Sequence, residues 1–115
     1  MIAYREALER VSAVGGIRGA MLVAAADGLV VAESLMDGID GRAVAALTAS
    51  LVGRLRRTTA SAGLQAPTVV HLRAEHGSVL AVPAAGDLLI VAVTGHGANL
   101  GLARLEMLDA ARQVS

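Results

Sequence analysis

The sequence predicts an α+β fold in which one antiparallel sheet carries helices on both faces. Three observations predict it. Apolar residues recur at helical spacing in three segments and run as short blocks in five others, in the order helix, two strands, helix, three strands, helix. The links within the strand groups, at Asp27-Gly28, His76-Gly77 and Gly86-Asp87, are too short for a parallel crossover. The chain has 115 residues, 55% of them hydrophobic and 17% charged, which suits one folded core over 1–115 and argues against disorder.

Each element has its own warrant. Tyr4, Ala7, Leu8, Val11 and Val14 share one face of a helix over 2–14, which Gly15-Gly16 ends. Asp27-Gly28 reads as a two-residue hairpin link between strands near 17–25 and 29–35, because glycine tolerates positive φ. Asp40 is placed to cap a long helix over 41–62. Its core stripe reads Val44, Leu47, Leu51 and Leu55, broadened by Val52. Gly63 closes it, and Pro67 bars its return. A third strand covers 68–74, and two more follow. Pro83 belongs at the end of the middle one or at a bulge. A final helix over 99–113 sets Leu100, Ala103, Met107, Leu108 and Ala111 on one side.

Composition excludes several functions. Ten basic residues balance ten acidic ones, which argues against nucleic acid or an anionic membrane as partner. Tyr4 is the single aromatic residue, so base-stacking platforms are not expected. There is no cysteine for disulfides, thiolates or iron–sulfur clusters. Every basic residue is arginine, which removes the P-loop lysine and Schiff-base chemistry. The N-terminus carries both charge signs, and no apolar run reaches the roughly 18 residues of a membrane span. A soluble, cytoplasmic protein without a cofactor or membrane insertion is expected.

The candidate sites are few. Thr94-Gly95-His96-Gly97-Ala98-Asn99-Leu100-Gly101 invites a phosphate reading, but its glycines follow G-x-G-x-x-x-G after an antiparallel strand. A turn with Asn99 as helix cap fits better. His71, His76 and His96 are expected on a strand, in a turn and at the far end of another strand, too scattered for a metal site. Ser12, Ser34, Ser50, Ser61, Ser78 and Ser115 lack a nucleophile elbow. Asp27, Asp37 and Asp40 read as turn and cap residues. The long helix is more informative. Ala46, Ala49, Ser50, Gly53 and Ala60 form a seam of small residues, and Gly53 costs roughly 1 kcal/mol relative to alanine in a helix interior. Close approach of a twofold-related helix would offset that cost. Packing on the sheet is the other explanation. Arg54, Arg56 and Arg57 suit the negative end of the helix dipole, and equally an acidic partner.

Three segments carry a resemblance: GIRGAMLVAAADGLVVAES, HGSVLAVPAAGDLLIVAVT and ANLGLARLEM. Together they resemble the Roadblock/dynein light chain family, which belongs with longin- and profilin-like folds. The resemblance covers nearly the whole chain. It implies sheet order 2-1-5-4-3, with the long helix on one face and the terminal helices on the other. It also implies a homodimer whose third strands pair edge to edge and whose long helices lie side by side. Val69, His71 and Arg73 would then join the helix seam at the interface, and protonation of two apposed His71 side chains would oppose pairing. Bacterial members of the family bind small Ras-like GTPases and regulate their hydrolysis, and others are scaffolds. The implied function is a non-catalytic module that regulates or tethers such a GTPase, with Arg54, Arg56 and Arg57 toward the partner. A nucleotide-independent scaffold and a small-ligand sensor are the alternatives.

Overall fold

The computed structural model describes residues 3–114; Ile2, at the expected start of the first helix, and Ser115 lie outside them. The elements are α1 (Ala3–Ser12), β1 (Ile17–Ala24), β2 (Val30–Leu35), α2 (Gly41–Ser61), β3 (Val70–Ala74), β4 (Gly77–Ala84), β5 (Leu88–Thr94) and α3 (Leu100–Gln113). The five strands form one sheet in the order β2-β1-β5-β4-β3, and each neighbouring pair is antiparallel. β5 therefore lies at the centre, flanked by β1 and β4, while β2 and β3 are the edges.

Two cores occupy the two faces, as strand alternation requires. Leu22, Leu80, Val82, Ile90 and Ala92 pack against Leu8, Val11, Ala103 and Met107 of the terminal helices. Met21, Val23, Ala81, Leu89 and Val91 pack beneath Ala45 and Val52 of α2. A polar clamp ties α1 to α3: Arg10 Nη2 donates to Asp109 Oδ2 at 2.7 Å and Glu106 Oε2 at 3.2 Å. Arg112 adds a bond to Asp109 Oδ1 at 3.0 Å. These hydrogen bonds, that from Arg112 first and then that from Arg10, hold the Asp109 carboxyl below its usual range.

The turns explain several local differences from the sequence expectations. The β1–β2 link is longer than two residues. Ala24 N–H donates to Leu29 O at 2.9 Å, Gly28 N–H donates to Ala24 O at 2.9 Å, and Asp27 Oδ1 accepts from Leu29 N–H at 3.2 Å. Gly28 has φ +74°, and a methyl there would sit 3.3 Å from Ala46 Cα. The turn therefore folds over α2, and glycine permits both the angle and the approach. Just past it, Val23 pairs with Val30 and Leu22 with Ala32, so Val31 is an extra residue bulged from β2. The β4–β5 turn keeps its two left-handed residues, Gly86 (φ 71°) and Asp87 (φ 58°), as a tight hairpin requires.

β3 begins at Val70, two residues later than expected, and its ladder with β4 stops at Val70↔Ala81. Pro83, two positions further along β4, has no N–H with which to extend that ladder. It lies one residue from the strand's end, paired with Leu89 of β5.

The buried side of α2 also differs from expectation. Leu47 is 47% exposed, whereas Ala45, Thr48, Ala49 and Val52 are buried. Small side chains of α2 face the sheet over its larger residues Met21, Val23, Leu89 and Val91. The larger Val44, Leu51 and Leu55 flank the contact half-buried. Thr48 is tolerated there because its hydroxyl donates to Val44 O at 2.9 Å.

Candidate partner-binding surface

α2 packs chiefly on β1, β2 and β5. The β4–β3 end of the same face is left thinly covered. Leu72 of β3 is 38% exposed there, beside half-buried Leu51 and Val79, with Leu47 on the adjoining turns of α2. Beneath them, between α2 and the sheet, a space of about 10 Å³ remains. A water molecule scarcely fits it. Next to this apolar ridge runs β3, whose outer backbone edge pairs with no strand among the described residues.

The small residues of α2 divide into two groups. Ala46 and Ala49 receive the β1–β2 turn: a methyl on Gly28 would lie 3.5 Å from Ala49 Cβ. Ala49 is buried by this contact, whereas Ala46 stays exposed. Gly53 has no such neighbour. A methyl on it would meet only Arg57 Nη1, at 3.8 Å. Ser50, Gly53 and Arg57, together with Ala46 and Ala49, line an open groove of about 610 Å³ that runs between the helix and the β1–β2 and β4–β5 turns. Ala60, one turn beyond Arg57, is exposed.

The three arginines are not equivalent. Arg56 Nη1 donates to Asp87 Oδ1 at 3.0 Å, tying α2 to the β4–β5 turn. Arg54 and Arg57 are exposed on the groove wall and pair with no carboxylate among the described residues. Asp27 and Asp87 give the opposite rim a negative charge. The groove therefore offers guanidinium donors to an acidic or carboxylate-bearing surface.

Val69, His71 and Arg73 lie on the other side of the sheet from α2. Val69 packs on the α1–α3 core, His71 lies near Leu100 and Arg104, and Arg73 borders the β5–α3 loop. No β3 residue lines the groove that holds the α2 seam, so they do not adjoin it. Val70 and Leu72 are the β3 residues on the α2 side. Sequence reasoning passed over Leu72 and Leu47 as interface candidates. The alternation of TVVHLRA carried the signal, but which parity faces α2 depends on register.

The glycine-rich loop is internally satisfied. Gly95 N–H donates to Gly16 O at 2.9 Å and Asn99 N–H to Gly15 O at 3.2 Å. Asn99 Oδ1 caps α3 by accepting from Leu102 N–H at 3.1 Å. The scatter expected of the histidines is corrected in one respect. The rings of His76 and His96 have centroids 6.1 Å apart, because antiparallel β4 and β5 bring the start of one beside the end of the other. His71 stays apart on β3. No three His, Cys, Asp or Glu side chains converge on a metal position among the described residues, and no helix there is long and apolar enough to cross a membrane.

Known proteins share this architecture. MJ1340 of Methanocaldococcus jannaschii, an uncharacterized protein, is 36% identical over 99 residues, 86% of this chain and 85% of its own. Myxococcus xanthus MglB superposes with a TM-score of 0.86 at 17% identity, covering 99% of this chain and 92% of that one. MglB in a tetrameric arrangement also gives 0.86, at 23% identity over 97% of this chain and 87% of that one. At these identities the likeness to the two solved structures is one of fold. Residues 4–94 match the family described as Roadblock/LC7 domain. On that match and the shared sequence with its archaeal relative, the chain belongs to the Roadblock/LC7 family.

Proposed function

We propose that this chain is a non-catalytic, cytoplasmic binding module that pairs with a second copy of itself through β3 and α2. The pair regulates or scaffolds a small Ras-like GTPase. The observation that carries the self-pairing is the bare β3 edge beside exposed Leu47 and Leu72. An uncovered, regular strand edge next to apolar side chains is an aggregation hazard that pairing removes. Val69, His71 and Arg73 would border the strand junction. Ser50, Gly53 and Ala60 would face the partner helix, while Ala46 and Ala49 mainly seat the β1–β2 turn.

Family membership and the groove chemistry support the GTPase role. Arg54 and Arg57 are available to an acidic surface, whereas Arg56 is held by Asp87. No nucleotide site of this chain is invoked. The nucleotide belongs to the partner, and the module acts by repositioning the partner's own catalytic groups. Replacing Arg54 and Arg57 with alanine should therefore weaken complex formation more than turnover at saturation.

The test is a pull-down from source-cell lysate with the immobilised chain, in GDP and in a non-hydrolysable GTP analogue. A small GTPase retained only with the analogue supports regulation. Equal retention with both nucleotides indicates a tether. A capture set without a GTPase in either lane overturns the reading and favours a nucleotide-independent scaffold.

A further inference from the structure

His76, in the β3–β4 turn, and His96, in the β5–α3 loop, come from segments 20 positions apart in sequence yet meet at one end of the sheet. Ser78 pairs with Thr94, so the residue two before the first and the residue two after the second leave the sheet together. Their rings stand nearly perpendicular, at 83°, with centroids 6.1 Å apart. Glu75 Oε1 lies 3.6 Å from His76 Nε2, and the side chains of His76 and Glu75 are 85% and 89% exposed. Burial does not explain why two imidazoles and a carboxylate gather there.

We infer that His76 and His96 jointly bind one divalent first-row transition cation, such as zinc or nickel, with water completing its shell. Neutral imidazole is a preferred ligand for these ions. With metal–nitrogen bonds of about 2.0–2.1 Å, two rings on one ion have centroids roughly 5–6 Å apart. The observed separation lies close to that range, and both side chains are exposed and so able to rotate. Glu75 supplies a negative charge beside His76 and opposes the repulsion from Arg73, which borders the same groove as His96. Because no third ligand converges, the ion is exchangeable and not a structural zinc. When bound, it fastens the β3–β4 turn to the loop that leads into α3. The site is independent of the proposed GTPase role.

Calorimetric titration of zinc chloride into the metal-free full chain tests this, with nickel as a second probe. The expected result is one ion per chain, with affinity reduced roughly tenfold or more in His76→Ala and in His96→Ala. His71→Ala should bind as the parent does. In proton NMR, zinc should shift the imidazole signals of His76 and His96 and leave those of His71 in place. Binding too weak to detect in the parent, unchanged affinity in His76→Ala and His96→Ala, or an equal loss in His71→Ala would each overturn the inference. All three residues are exposed, so the variants should fold normally.

Discussion

The two faces of the sheet bury similar kinds of residue but are finished differently. On one, α1 and α3 lie side by side and are clamped by Arg10, Glu106 and Asp109. Met107, Ala103 and Val11 are fully buried beneath them. On the other, α2 alone covers a five-stranded sheet and leaves Leu47 and Leu72 exposed beside a free edge. The first face is tied within the chain by those ion pairs, although Leu102 and Leu105 of α3 stay exposed. The second has the character of half an interface, with apolar atoms where a closed domain would place another helix. Stability should therefore reside mainly on the first face and association on the second.

The largest effect expected is on the closed face. Met107→Ala removes a fully buried side chain and should cost about 2–5 kcal/mol of folding stability. Denaturant unfolding measures it. A loss below about 1 kcal/mol would mean this face is not the tighter-packed one. Next comes the open face. Leu47→Asp combined with Leu72→Asp should weaken self-association roughly 100-fold, by sedimentation, while the thermal midpoint of dilute protein hardly moves. Unchanged association would break the contrast between the faces.

Gly53→Ala separates the two properties within one residue. The space around Gly53 is open, so alanine should stabilise the helix by about 1 kcal/mol and yet loosen a close helix pair. Gly53→Leu should prevent pairing altogether. Undiminished association in both variants would remove Gly53 from the interface. The smallest effect concerns the clamp. Asp109 is held below the usual carboxylate range, so its folded value lies under its unfolded one. Its contribution is present above the ordinary range and fades as pH falls through the depressed value. Asp109→Asn should flatten the acid side of the melting-temperature profile slightly, because the pairs are solvent-facing. Identical profiles would show that the clamp does not couple to protonation.

Much of this fold was legible in the sequence. Turn chemistry at Gly15-Gly16, Asp40, Gly63, Gly86-Asp87 and Asn99 marks the element boundaries, and strand and helix periods differ enough to order them. The resemblance supplied the strand order that local pattern could not. The buried side of α2 was harder to read. Hydrophobicity ranks Leu47 as core, but Ala45, Thr48 and Ala49 make the contact, over the larger sheet residues Met21, Val23, Leu89 and Val91. The parity of β3 and the meeting of His76 with His96 depend on pairing register, which emerges only when strands are laid side by side. Arg56 looked equivalent to Arg54 and Arg57 until the β4–β5 turn brought Asp87 to it.

The bulge at Val31 has a consequence for how large an assembly can grow. If two chains join through β3, their sheets fuse into one and the outermost strands become the two copies of β2. A rim that continued the ladder cleanly would recruit further chains and polymerise. Here Val31 interrupts the register between Val30 and Ala32 and adds local twist. A rim of that shape is a poor template for another strand. Growth by strand addition would then terminate at the pair, giving a closed particle in place of a fibre.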